Sequence, residues 1–353
     1  MSTSNNPYSA AKYIQNLVRS GDNLTLIGNY NGENIGDNAI LRTILFDLEH
    51  LELGQIFVPT RYPEKTQEIY AAGSTLKIQP ISFANKLLLL KKTLASRLLF
   101  VGGGTIFSKY AGPFVYVLPA YLLFFKLLGK KIVFFSNGFD PSTPLVIKIP
   151  VFIAFLLANK VSVRDEKSRR SLRFVERFRP IDFVEDPVKH LLDYQDRVQP
   201  YVDEQIKEVK KRYKLPKSYL LTCFNPVKER RKSLQIAKQL AAEIDKSPHA
   251  HVVMLSFYIS EQLEMDDQVY NELIRDLLQS KKSVTIVSQT LSPFTVIRLM
   301  QKADQVYAER LHSMVLAYLA KVSFYGYSYQ RKCTAFLEQI NHSEFVEVDS
   351  LIN

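Results

Sequence analysis

Short apolar runs alternate with amphipathic stretches along the first half of the chain. Residues 23–28 (NLTLIG) read as a strand, followed by a polar loop and a helix over residues 37–48. Further strands are predicted at 55–58, 97–101, 131–136 and 160–163, each short, apolar and ended by Gly, Asn or a charged residue. A second series lies at 219–224, 251–256, 283–287, 305–308 and 322–325, with helical periodicity over 232–244 and 268–278 between its members. Alternation of this kind is the grammar of parallel sheets covered by helices, so the fold class is α/β, as two Rossmann-like doubly wound domains. Facing each other across a cleft, they would hold ligands beyond the carboxyl ends of their strands. The expected boundaries are residues 1–187 for an N-terminal α/β domain on the acceptor side, 188–217 for a linker and charged helix, and 218–353 for a C-terminal α/β domain on the donor side.

Two apolar stretches, 114–125 and 144–158, fall short of the roughly 20 residues needed to cross a bilayer, so both are predicted to be buried helices. The first ten residues are polar and lack the apolar core of a signal peptide, which leads us to expect a cytoplasmic protein. With 353 residues and 46% hydrophobic content the chain can bury full cores, and the length favours two domains. Lys and Arg outnumber Asp and Glu by 46 to 35, a formal charge of +11, so the surface attracts anions: phosphates, anionic lipid head groups or nucleic acid. Nucleic acid is disfavoured, because zinc-finger spacing, an RNA-binding aromatic signature and an arginine-rich arm are all missing. Peripheral contact with the inner face of an anionic plasma membrane stays open. Cys223 and Cys333 are far apart in sequence and form no CxxC pattern, which argues against a disulfide framework and fits a reducing compartment. The histidines show no metal-ligand spacing, so no metal is expected.

Candidate chemistry concentrates where strands end. Residues 28–41 (GNYNGENIGDNAIL) lie between a predicted strand and helix. Their glycines permit close backbone approach, and Asp37 or Asn38 can cap the helix so that its first N–H groups meet a phosphate or sugar hydroxyls. The alternative is an ordinary capped turn. The stretch is neither a Walker loop nor a dinucleotide fingerprint. Residues 100–107 (FVGGGTIF) run an apolar strand into three glycines, where a ligand or a packed neighbour could come close to the backbone at Gly103 and Gly104. Residues 161–166 (VSVRDE) put Arg164 at a strand's carboxyl end, where its planar fork can pair two anionic oxygens. Arg169, Arg170, Arg173 and Arg177 follow at helical spacing and read first as a solvated face, second as a patch for an acidic membrane or substrate. Residues 309–320 (ERLHSMVLAYLA) place Arg310 and His312 at the start of an apolar helix, where the macrodipole disfavours cations. A bound phosphate or carboxylate, or the neighbouring Glu309, would resolve that conflict.

Taken in order, these segments resemble the polysaccharide pyruvyltransferase family. The resemblance rests on the Gly/Asn-rich opening at 28–41, Gly102–Gly104, Val163–Asp165, the R-L-H of Arg310, Leu311 and His312, and a Tyr-to-Lys segment ending at Lys332. It implies a GT-B-like architecture, phosphoenolpyruvate as co-substrate with no cofactor, and a sugar acceptor in a cell-surface polysaccharide or its lipid-linked precursor. It implies that Arg164, Arg310, Leu311 and His312 bind the donor, with Arg310 and His312 catalytic. Asn31, Asn34, Gly36, Asp37, Gly103 and Gly104 would face the acceptor. The chain departs from the pattern after Tyr329, where Gln330 and Arg331 stand, and at Lys321, where a glycine is common; no catalytic role is assigned to Lys332. A nucleotide-sugar glycosyltransferase of the same architecture and a non-catalytic glycan-binding relative are the alternatives left open.

Overall fold

Parallel pairing with helical crossovers dominates the computed structural model, which describes residues 7–71, 73–107, 114–139, 143–227, 229–260 and 266–351. The polar N-terminal stretch read as lacking a leader lies outside these residues as far as residue 6. The chain divides into two compact units. One comprises the residues up to Gly32 together with Asp37–Tyr194; the other comprises Glu33–Gly36 and the chain from Gln195 onward.

The first unit carries a seven-stranded sheet of β1 (Leu24–Ile27), β2 (Gln55–Thr60), β3 (Lys77–Ser82), β4 (Leu98–Phe107), β5 (Lys131–Phe139), β6 (Lys160–Val163) and β7 (Asp182–Phe183). The order is β3-β2-β1-β4-β5-β6-β7, parallel throughout. Its helices are α1 (Ala10–Ile14), α2 (Ile35–Leu48), α3 (Pro63–Ala71), α4 (Lys86–Ala95), α5 (Phe114–Leu127), α6 (Leu145–Leu157), α7 (Glu166–Ser171) and α8 (Arg173–Glu176). Strands buried on both faces read as continuous apolar runs, and β4 and β5, the centre of this core, do so.

The second unit begins with α9 (Gln195–Tyr213), whose Val198, Val202, Ile206 and Val209 form a buried stripe at spacings of three and four. Its six strands are β8 (Leu220–Cys223), β9 (His251–Leu255), β10 (Ser283–Val287), β11 (Gln305–Ala308), β12 (Phe324–Ser328) and β13 (Phe345–Glu347), parallel in the order β10-β9-β8-β11-β12-β13. Between them run α10 (Arg230–Lys246), α11 (Asp267–Leu277), α12 (Pro293–Met300), α13 (Leu311–Ala320) and α14 (Arg331–Gln339). In each unit the strand order reverses once, between β1 and β4 and between β8 and β11. Such a switch point is where doubly wound sheets open a crevice beyond the strands' carboxyl ends.

Two expectations need correcting. Strands β3, β7 and β13 were not foreseen, and all three lie at sheet edges. β3 contains Pro80, β7 has two residues and β13 three, so none carries the long apolar run of a central strand. The apolar stretches at 114–125 and 144–158 are helices, but only their inner sides are buried; Val117 and Leu145 are 57% and 71% exposed. No described helix is long and apolar enough to cross a membrane.

Candidate functional site

Strand β11 ends at the second unit's switch point, and Glu309, Arg310, Leu311 and His312 follow it directly. Glu309 is held by the neighbouring strand β8: its backbone N–H donates to the carbonyl of Cys223 (3.0 Å). Its carboxyl Oε2 accepts from the N–H of Asn225 (2.7 Å). Arg310 is the N-cap of α13 and Leu311 its first helical residue, which puts His312 in the first turn.

Asp267, the first residue of α11, answers the electrostatic conflict at this helix start. It takes a bidentate pair from Arg310, through Nε (2.9 Å) and Nη2, and accepts the backbone N–H groups of Phe257 (3.0 Å) and Tyr258 (2.8 Å). The Tyr258 ring lies 5.6 Å from the guanidinium carbon. Burial works against the charge on Arg310, but the Asp267 carboxylate outweighs it and the pKa is raised further. Asp267 is pushed up by burial and pulled back by Arg310 and the two backbone donors. Glu309 is wholly buried and its carboxyl has one hydrogen bond. Burial raises it to about 8, the partial pull-back from the Asn225 N–H and the Arg310 charge being too small to offset that. The one buried cation thus pairs directly with Asp267 and leaves Glu309 as a carboxyl that keeps its proton to higher pH.

The glycine- and asparagine-rich loop reaches the same place. Asn34 pairs with Tyr258 in an antiparallel bridge, the Ile35 N–H donates to the Phe257 carbonyl (3.0 Å), and Asn34 Oδ1 accepts the Gly36 N–H (2.8 Å). A Cβ built on Gly36 would stand 2.2 Å from Nδ1 of His312, so glycine here lets the backbone approach the imidazole. Gly36 and His312, chosen from segments far apart in sequence, are therefore neighbours.

In the first unit the candidate residues are tied into scaffolding. Asn31 Oδ1 accepts the Arg61 N–H (2.8 Å), and Asp37 Oδ2 accepts from Asn29 Nδ2 (2.7 Å). Gly103 and Gly104 both have left-handed φ, +60° and +77°, and a Cβ on Gly103 would fall 2.1 Å from Ile40 Cγ2, which makes Gly103 a close-packing position against α2. Arg164 Nη1 pairs with Asp186 at 2.5 Å, and both side chains are nearly buried. Beside them Ser136, with φ +51°, departs from strand geometry within β5, where the pairing with β6 shifts register. Its Oγ donates to the Glu185 carbonyl (2.9 Å), and the Arg164 N–H reaches the Asn137 carbonyl (3.4 Å). A non-glycine residue in the left-handed region is strained and is held by its surroundings.

The family model for polysaccharide pyruvyl transferase matches residues 34–331, from the loop that meets His312 to the segment after β12. The chain belongs to the polysaccharide pyruvyl transferase family. No curated protein matches it significantly. Among solved structures it is similar to UDP-GlcNAc 2-epimerase from Methanocaldococcus jannaschii, at 13% identity over 94% of this chain and 90% of that one, with a TM-score of 0.59. The Neisseria meningitidis UDP-GlcNAc 2-epimerase bound to UDP-GlcNAc gives 12%, 94%, 89% and 0.59, and S. aureus MnaA with UDP gives 11%, 94%, 86% and 0.61. At this identity the likeness establishes the fold, two parallel α/β sheets of GT-B type, and nothing of the substrate.

For a pyruvyl transferase, Asp267, Tyr258 and Asp186 are the neighbours of the candidate residues that reading the motifs missed, and Glu309, offered there as the partner of the cationic helix start, gives that place to Asp267. Asp267 had one signal. Asp266 and Asp267 form a doublet at a helix start, and Asp266 alone makes the cap, accepting from the Val269 N–H (3.0 Å), so the second carboxylate is surplus to capping.

Proposed function

We propose that the protein transfers a pyruvyl group from phosphoenolpyruvate to a sugar of a cell-surface polysaccharide or its lipid-linked precursor, forming a cyclic ketal. The observation that carries this reading is Arg310, locked by Asp267 two residues before a histidine against which the Gly36 backbone is pressed. The Asp267 pair uses Nε and Nη2, which aims the guanidinium and gives its Nη1 to an oxygen of the donor. The Leu311 and His312 backbone at the start of α13 favours the donor's negative charge. Arg164, anchored on Asp186, is the first unit's candidate for a donor oxygen.

In the reaction His312, as the imidazolium, protonates the methylene carbon of phosphoenolpyruvate, and the enol carbon becomes electrophilic. One sugar hydroxyl adds to that carbon and loses its proton. The carbon–oxygen bond to phosphate then breaks, inorganic phosphate leaves, and a neighbouring hydroxyl closes the ketal with loss of its own proton. Positive charge from Arg310 stabilises the leaving phosphate. The Asn34–Gly36 segment, beside His312, is the acceptor-side candidate, and Asn31, Asp37 and Gly104 keep that assignment on residue type.

The test is calorimetric titration with phosphoenolpyruvate, using UDP as control, on the wild type and Arg310→Ala. Phosphoenolpyruvate binding that disappears in the variant is the expected result; selective UDP binding would move the assignment to nucleotide-sugar transfer. His312→Ala should retain donor binding and lose roughly 10²–10⁴ in turnover, and near-normal turnover would remove its role as acid.

A further inference from the structure

In the first unit the strand order runs outward from β1 to β3, then from β4 to β7 in the opposite direction. With right-handed crossovers, α2 and α3 cover one face of the sheet, and α4, α5 and α6 cover the other. The first of these faces is ordinary: α3 turns Glu64, Lys65, Gln67 and Glu68 to solvent. The second is not. α5 buries Val115, Leu118, Leu122 and Phe125 against the sheet, and its opposite side exposes Tyr116, Val117, Leu123, Phe124 and Leu127. α6 buries Ile147, Val151, Ala154 and Phe155 and exposes Leu145, Val146, Ile149, Ile153 and Leu156. A surface helix normally carries charge on its outer side; these two have one half-buried lysine each and are otherwise apolar.

The apolar face continues on both flanks. Phe174 on α8 lies 6.4 Å from Phe152 on α6 and 5.4 Å from Phe178, and both Phe174 and Phe178 are exposed. Arg173 and Arg177 stand beside them, also exposed, so cations and aromatics alternate. On the other flank Lys130 donates to the Leu94 carbonyl, tying the end of α5 to α4, where Leu87 and Leu90 are exposed between Lys86 and Lys91. Together these side chains leave on the order of 1,000 Å² of apolar surface, above the roughly 300–600 Å² of the largest patch on a typical monomer.

We infer that the α4-α5-α6-α8 face docks the protein on a bilayer surface bearing anionic head groups. Charge selects this partner. Helices α4, α5 and α6 contain no Asp or Glu, and their charged residues are Lys86, Lys91, Lys92, Lys126 and Lys148; the one carboxylate on α8, Glu176, is paired with Arg169 (2.7 Å). A second copy seated on the same face would oppose lysine to lysine with no carboxylate from α4, α5 or α6 to pair them. An interface of acyl chains under anionic head groups takes both the apolar side chains and the cations. α5 and α6, with 14 and 13 residues, are too short to cross and would lie in the interfacial plane. This inference stands apart from the donor chemistry and does not depend on it.

The experiment is co-sedimentation of the full chain with vesicles of phosphatidylcholine alone and of phosphatidylcholine with an equal share of phosphatidylglycerol. The wild type should bind the anionic vesicles more strongly, and binding should weaken as salt is raised. The triple variant Phe124→Glu, Leu127→Glu, Ile149→Glu changes outward positions only and should bind roughly tenfold more weakly or worse, with an unchanged thermal melt. Arg173→Gln with Arg177→Gln tests the charge separately and should reduce binding to the anionic vesicles alone. Equal vesicle binding by wild type and triple variant, or no binding by the wild type, overturns the inference. A wild-type dimer that the triple variant dissolves would also overturn it and assign the face to a second copy.

Discussion

Replacing Glu309 by glutamine tests whether the chain stores a neutral carboxylic acid beside Arg310. The carboxyl is 0% exposed and has one hydrogen bond, from Asn225, whereas Asp267 takes four donors and the guanidinium charge. Burial therefore raises Glu309 from 4.5 to about 8. Below about pH 4.5 the folded and unfolded chains both hold this proton, and above about pH 8 neither does. Between those limits the folded chain alone holds it, so the group's contribution to stability falls as pH rises. The slope is about 1.4 kcal/mol per pH unit, or on the order of 5 kcal/mol across the window. Glutamine keeps an oxygen for the Asn225 N–H and has no proton to lose, so Glu309→Gln should remove that slope. Urea unfolding followed by circular dichroism, at steps from about pH 5 to about pH 8, measures it. The wild type and variant should differ little near pH 5 and diverge steadily, the variant being the more stable at pH 8. Parallel curves through the window would refute the reasoning, because they would mean that Glu309 is already ionised in the folded protein.

Asp267→Asn leaves Arg310 with a weaker anchor and a buried unpaired cation, which costs about 3–5 kcal/mol in stability; thermal melts and donor titration should both register it, with Arg310→Lys failing to restore binding because an ammonium lacks the planar fork. Gly36→Ala puts a methyl 2.2 Å from the His312 imidazole, so turnover should fall by more than about tenfold through displacement of the acid, while calorimetric donor affinity changes less. Gly103→Ala meets both a left-handed backbone and Ile40 at 2.1 Å, and should cost roughly 1–3 kcal/mol in a melting assay with no selective rise in the acceptor KM; such a rise would return Gly103 to the acceptor.

The central strands were legible because they are buried on both faces, and a parallel strand in that position has to be apolar along its length. The edge strands carry no such requirement, which is why β3 with its proline and the very short β7 and β13 were not foreseen as strands. The outer sides of α5 and α6 misled for a related reason. A helix apolar all round is normally buried, and hydropathy alone does not distinguish a side chain covered by protein from one turned outward. Sheet order settles the matter here, since it places both helices in the outermost layer of one face, where only their inner stripes are covered.

The site was half legible for a different reason. Strand-to-helix junctions are local, so R-L-H, the GGG segment and the Gly/Asn loop could each be located from their own neighbourhoods. What Arg310 pairs with is not local. Glu309 is adjacent in sequence, yet alternate residues of an extended segment point to opposite sides, and its carboxyl turns to the end of β8 while the guanidinium turns to α11. The true partner, Asp267, lies 43 residues away at the start of a helix whose cap is already made by Asp266. The same distance explains why a cationic helix start is tolerable without any ligand: the protein brings its own carboxylate. That carboxylate spends two of the guanidinium's donors and fixes its direction. A donor anion arriving at this helix start would then meet an arginine that is already oriented, and its affinity would depend on Asp267 as strongly as on Arg310 itself.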